Sequence, residues 1–189
     1  MAKKNIFRFA SVILLILVCV SFRPVEAGIF TSQNGKVKFV SEAPLELIKA
    51  ESEKLISVID VAKRSFAFSI IVESFEGFNS PLQKEHFREN YMETNKYKTT
   101  TFKGKIIEEI DLSKEGTYNI RAKGTLDLHG VQKEKIIKGK LIVKSGSIEM
   151  DAKMDVPLEE HNIKVPKVVN QKISQIISVE IKATLLPKK

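Results

Sequence analysis

Cysteine occurs once in this 189-residue chain, at Cys19, inside an apolar N-terminal run. A domain built from the remaining residues has no disulfide and must be held by its core. Catalytic and cofactor signatures are equally scarce. No G-x-S-x-G elbow, no Gly-rich phosphate loop and no G-x-G-x-x-G is present, which argues against a nucleophile-elbow hydrolase and against nucleotide chemistry. His86, His129 and His161 are the only histidines. They are widely spaced, with no H-E-x-x-H, so no metal site and no cofactor follow from their spacing. Internal repeats, low-complexity tracts and flexible linkers are also missing, and one domain is expected.

What is there begins with a leader. Lys3, Lys4 and Arg8 precede an apolar stretch from Ala10 to Phe22, and Val25-Glu26-Ala27 ends in small residues. That is the layout of a secretory signal cleaved near Ala27. The apolar run is shorter than the roughly 20 residues a permanent span needs. Cys19 follows Val18 rather than a small residue, so it reads as an apolar member of the leader, not as a lipoprotein anchor. The expectation is a periplasmic or secreted protein made of residues 28–189. Loss of residues 1–27 takes away four bases and one acid, which lowers the net charge from +8 to +5.

From Gly35 onward apolar residues recur with a period of two. Phe66, Phe68 and Ile70 share one parity, as do Tyr118, Ile120, Ala122, Gly124, Leu126 and Leu128. The same alternation runs through Ile148, Met150, Ala152, Met154 and Val156, and again through Val179, Ile181, Ala183 and Leu185. This is how antiparallel strands read when one face is dry and the other wet. Lys114-Glu115-Gly116, His129-Gly130 and Ser145-Gly146-Ser147 supply turns between them. One segment departs from the pattern. Ser80 as N-cap, Pro81 at the first helical position and Gln83 as capping-box partner predict a short helix over residues 81–93, with Phe87 and Tyr91 on one face. A shorter helical turn is expected near Lys167 to Ile173. Long strands, little helix and the need to hide sheet edges favour a closed up-and-down barrel of about eight strands.

The lysines lie along outward faces and are not interleaved with aromatics, so nucleic acid is not an expected partner. A solvated face, or weak transient contact with an anionic membrane surface, fits such a basic balance, and a homodimer stays open. Aromatics crowd the middle of the chain (Phe66, Phe68, Phe75, Phe78, Phe87, Tyr91 and Phe102). In a barrel such residues either fill the lumen or line a hydrocarbon-sized space, and alternation does not distinguish the two.

The stretches GKVKFVSEAP (residues 35–44), KEHFRENYMETNKYKTTTFKGKI (residues 84–106), GTYNIRAKGTLDLHGVQKEKIIKGKL (residues 116–141) and the closing ISVEIKATL resemble the YceI-like family of polyisoprenoid- or lipid-binding proteins. The likeness extends from about Gly35 to Leu185. It implies a lipocalin-like extended antiparallel barrel, exported, holding an isoprenoid or fatty-acid-like amphiphile without turnover. Lys98, where many relatives carry proline, and Gln132, where threonine is common, depart from the pattern at strand entrances. Strand parity gives the expected lumen lining: Phe66, Phe68, Ile70, Phe102, Ile106, Leu126, Ile148, Met150 and Ile181, with Phe87 and Tyr91 from the helix. Lys84, Arg88 and Lys96 are the expected head-group contacts at the mouth. The rival function is a small exported hydrolase or isomerase using His86, His129 or His161 with a nearby acid. His129 itself reads as a locally hydrogen-bonded turn residue pointing away from the lumen or sitting at its rim.

Overall fold

The period-two segments do form antiparallel strands. The computed structural model describes residues 28–188, so the expected leader lies outside the described residues. Eight strands follow in chain order: β1 (Ile29–Ala43), β2 (Glu46–Asp60), β3 (Ser65–Ile71), β4 (Thr99–Ile106), β5 (Gly116–Leu128), β6 (Val131–Lys144), β7 (Ser147–Pro157) and β8 (Ile176–Pro187). Each pairs with its sequence neighbours, and β8 returns to β1, so the sheet closes as an up-and-down barrel. Closure leaves the sheet without terminal edge strands.

The predicted helix forms but changes character halfway. Ser80 Oγ accepts from the Gln83 N–H at 3.2 Å, and α1 (Pro81–His86) starts on the expected cap. Gln83 Oε1 accepts from Asn79 N–H at 3.1 Å, one residue earlier than a capping box would have it. Phe87–Tyr91 then continue as a wider, π-type turn, in which Met92 N–H donates to Phe87 O at 2.9 Å. Widening buries Met92 in a small cluster with Val72, Leu158 and Ile163 while Phe87 reaches the main core. A short 3-10 turn at Lys167–Val169 falls where a helical turn was expected before β8.

Two features set the barrel's shape. Gly104 and Gly124 face each other across β4 and β5, where a Cβ on Gly104 would stand 2.0 Å from Lys123 O. Phe66 lies beside this pair on β3, an aromatic next to a side-chain-free stretch of sheet. In addition, β6 pairs with β7 only from Lys138/Lys153 to Lys144/Ser147. Beyond that point the wall between them is completed by the 3-10 segment Leu158–His161.

The interior is uneven along its axis. At the end carrying both chain termini of the barrel, the β2–β3 turn and the β4–β5 loop, it is filled by Phe30, Ile59, Leu112, Leu141, Ile148 and Leu185, all 2 % exposed or less. Leu112 comes from the β4–β5 loop and is buried in the main core cluster. At the opposite end the inward side chains stand apart.

Candidate functional site

The open end contains a cavity of about 430 Å³, within the range of small-molecule sites. Its walls are Val37 and Phe39 of β1, Ile48 of β2, Phe68 and Ile70 of β3, Phe102 of β4, Leu126 and Leu128 of β5, Met154 and Val156 of β7, and Val179 and Ile181 of β8. The long β3–β4 crossover arches over one side and adds Phe75, Phe78, Phe87 and Tyr91. The β7–β8 loop closes the other side with Ile163, Val169, Lys172 and Ile173.

Phe39 is the hub of the crossover's packing. Its ring stacks on Phe87 at 5.3 Å and meets Phe75 at 5.4 Å and Phe78 at 5.9 Å. The offset and edge contacts suit aromatic quadrupoles and hold the crossover as a wall. The floor is Phe68 and Phe102, backed by Phe66, whose ring is 5.0 Å from each of them. Polar atoms are few. Thr100 Oγ1 is buried in the cavity wall without a partner, and the Tyr91 hydroxyl has its pKa pushed up by burial. Ser41 Oγ accepts from Ser174 N–H at 2.9 Å and so ties β1 to the β7–β8 loop. The arrangement can desolvate an apolar chain; among the described residues it gathers no cluster of metal-ligating groups.

Of the expected lining, Phe68, Ile70, Phe102, Leu126 and Ile181 from strand parity and Phe87 and Tyr91 from the helix meet around this cavity. Phe66, Ile106, Ile148 and Met150 have the expected inward direction but are buried outside its lining: Phe66 supports the floor, and Ile148 is fully buried in the filled half. Parity places a side chain inside the barrel without saying at which end the barrel is full. Phe39, Met154, Val179 and the loop residues 163–173 were not anticipated. The first three carry the same alternation signal; the loop residues carry none, because their approach depends on how the loop folds back.

The basic residues expected at the mouth are mostly engaged elsewhere. Lys84 Nζ lies 2.5 Å from Glu76 Oε2, and Arg88 pairs with Glu73 at 3.6 Å and Glu76 at 3.8 Å. The hydrogen bond from Lys84 holds the Glu76 carboxyl below its usual pKa. Lys96 lies 4.7 Å from the centroid of the Tyr97 ring. These charges brace the crossover against itself.

The histidines separate into two kinds. His86 is exposed on α1 at the cavity rim. His129 and His161, distant in sequence, come together behind the wall. His129 sits in the β5–β6 turn and outside the cavity lining, as expected, but it is buried and its hydrogen bonds are long-range, which corrects the expectation of local bonding. Its Nδ1 is 3.1 Å from His161 O and its Nε2 is 2.8 Å from Glu93 Oε2, both long-range partners. The His161 carbonyl can only accept, so Nδ1–H donates to it, and Nε2 faces the Glu93 carboxyl. Tyr97 packs on this ring at 4.4 Å, and a Cβ at Gly130, whose φ is +72°, would strike Tyr97 at 2.4 Å. His161 Nδ1 lies 3.2 Å from Val131 O and 3.3 Å from Leu128 O, so its proton sits there. Nε2 is buried without a partner, and desolvation lowers the pKa of the ring. Together these contacts tie the crossover, the β5–β6 turn and the β7–β8 loop at the open end. Glu93, His129 and Asn162 all have positive φ there, local strain that the surrounding bonds hold in place.

Comparison with known proteins agrees with this architecture. The family model for the YceI-like domain matches residues 22–185. Among solved structures, the chain is similar to a polyisoprenoid binding domain from Saccharophagus degradans implicated in plant cell wall breakdown. The TM-score is 0.72 at 15% identity, covering 86% of this chain and 100% of that one. Burkholderia cenocepacia BcnA gives a TM-score of 0.65 at 15% identity, covering 80% and 95%. A Campylobacter jejuni YCEI protein gives 0.57 at 18% identity, covering 72% and 81%. At these identities the structures speak for the fold. No match is found among curated proteins.

Proposed function

The chain belongs to the YceI-like family, and from that premise and the shape of its open end we propose that it is a non-catalytic binding protein for a polyisoprenoid or another long-chain amphiphile. It acts after export to the periplasm or the exterior, in transport, storage or sequestration. The observation that carries the reading is the apolar cavity of about 430 Å³ at one end of an otherwise filled barrel. Burial of about 400 Å² of hydrocarbon contributes on the order of 10 kcal/mol before association costs are subtracted, enough for firm binding without a charged head-group site. The polyisoprenoid named for the Saccharophagus relative supports the ligand class. His129, bonded at both ring nitrogens, and His161, bonded through Nδ1, lie outside the cavity lining and act in this reading as structural ties rather than as catalysts.

Organic extraction of the purified protein followed by mass spectrometry tests this. A long-chain hydrophobe is expected in the extract. Met154→Lys sets an ammonium among the apolar cavity walls, where a hydrocarbon tail would have to desolvate it, and lowers the recovered amount at least about tenfold while the circular dichroism spectrum stays unchanged. Protein that yields no hydrophobe and takes up no added polyprenol overturns the proposal.

A further inference from the structure

A long-chain amphiphile must reach the cavity without exposing its tail to water, and the rim of the open end is built in a way that bears on this. Single exposed apolar residues are ordinary on protein surfaces. Here three converge. Leu45 in the β1–β2 turn, Leu82 on α1 and Val168 in the β7–β8 loop are 67%, 58% and 89% exposed. Two hydrogen bonds bring their segments side by side: Leu45 N–H donates to Gln171 O at 2.8 Å, and Gln83 Nε2 donates to Glu46 Oε1 at 2.9 Å. Val168 is held outward by an ordered turn. Lys172 N–H and Ile173 N–H both donate to Val169 O, at 2.9 and 3.0 Å, and Val169 itself faces the cavity.

Charge at this rim has one dominant sign on the loop side. Residues 161–179 contain Lys164, Lys167 and Lys172 and no Asp or Glu. Among the described residues none of these lysines is ion-paired, in contrast to Lys84 and Arg88. Of the acids on the neighbouring segments, Glu46 is taken by Gln83 and Asn79 and Glu160 by Lys135, while Glu42, Glu85 and Glu159 are exposed. An apolar tip flanked by unpaired lysines matches the surface of an anionic bilayer, where each lysine near the plane adds attraction and the apolar side chains enter the headgroup boundary.

We propose that the open end docks on anionic phospholipid membrane through Leu45, Leu82 and Val168, steered by Lys164, Lys167 and Lys172, so that the ligand passes between bilayer and cavity without crossing water. This rests on the reading of the cavity as a lipid site, and the test separates the two. The purified protein is floated with vesicles of phosphatidylglycerol and phosphatidylethanolamine, and separately with phosphatidylcholine vesicles. Uptake of a polyprenol delivered from detergent is measured in parallel. Wild type is expected to float with the anionic vesicles only. The double variant Lys164→Glu/Lys167→Glu loses at least tenfold in vesicle affinity, and Leu45→Ser/Val168→Ser a similar amount; none of these four residues lines the cavity, so polyprenol uptake is retained. Wild type that floats with neither vesicle, or variants that float like wild type, overturn the docking proposal even when uptake is normal. A concentration-dependent dimer in sedimentation equilibrium, abolished by Leu45→Ser/Val168→Ser, overturns it in favour of a second copy of this chain. Failed polyprenol uptake with intact flotation instead sinks the cavity reading.

Discussion

The two ends of the barrel are made from the same strands with the same alternation, yet one is solid and the other hollow. In β7, Ile148 and Met154 share a face, six residues apart. Ile148 is fully buried in the filled half, whereas Met154 is half-buried and borders the cavity. The difference lies in what crosses each end. The β4–β5 loop adds the buried Leu112 to the main core. The β3–β4 crossover instead packs its phenylalanines against β1, through Phe39, and leaves the axis free. Under the proposed binding role, such a barrel would keep its stability at one end and its function at the other.

The sharpest test compares two residues on that one strand. Ile148→Ala is expected to cost about 4 kcal/mol, as methylenes are deleted from a site that cannot collapse, whereas Met154→Ala costs about 1 kcal/mol because space already surrounds it. Urea denaturation of both variants decides this; equal losses would mean that the hollow half is as tightly packed as the solid one. Gly104→Ala follows, at about 3 kcal/mol. Its Cβ would meet the backbone of Lys123 and Gly124, which cannot rotate aside, and β4 would be forced from β5 beside the cavity floor. A loss below about 1 kcal/mol would show that these strands separate easily.

The smallest effect concerns the tie at the open end. Burial lowers the pKa of His161 in the folded protein, while the unfolded chain titrates near 6.5. Above about pH 6.5 neither state holds the proton and the stability is fully present. As pH falls below that value the unfolded chain binds a proton that the folded protein resists, and stability is lost toward the folded pKa. His161→Asn keeps a donor for Val131 O and Leu128 O and removes the titration. Thermal melts at about pH 7.5 and 5.5 should therefore differ less for the variant than for wild type; equal differences would exclude His161 as the titrating group. Glu76, Glu108, Glu160 and Glu180, whose pKa values are lowered by Lys84, Arg121, Lys135 and Lys153, lose their contributions only at lower pH, as it falls below about 4.5.

Much of the fold was legible along the chain, and less of the site. Ser80-Pro81 announced α1, and the alternation from Tyr118 to Leu128 announced β5 and its inward face. Seven expected lining residues meet at the cavity, but Ile148 shows the limit, since its inward direction says nothing about what stands opposite it. His129 shows another. Its neighbours in sequence mark a turn, while its hydrogen-bond partners are Glu93 and the His161 carbonyl, more than thirty residues away in either direction.

By itself the sequence determined the strands, their two faces and the short helix, because alternation, capping and turn chemistry act over a few residues, and it favoured the closed barrel that the β1–β8 pairing completes. Only the tertiary structure decided that the lumen is open at one end, that Lys84 and Arg88 are spent on Glu73 and Glu76, and that Leu45, Leu82 and Val168 share a rim. Empty space, ion pairing and surface patches depend on which distant segments arrive at the same place, and no local pattern records that meeting.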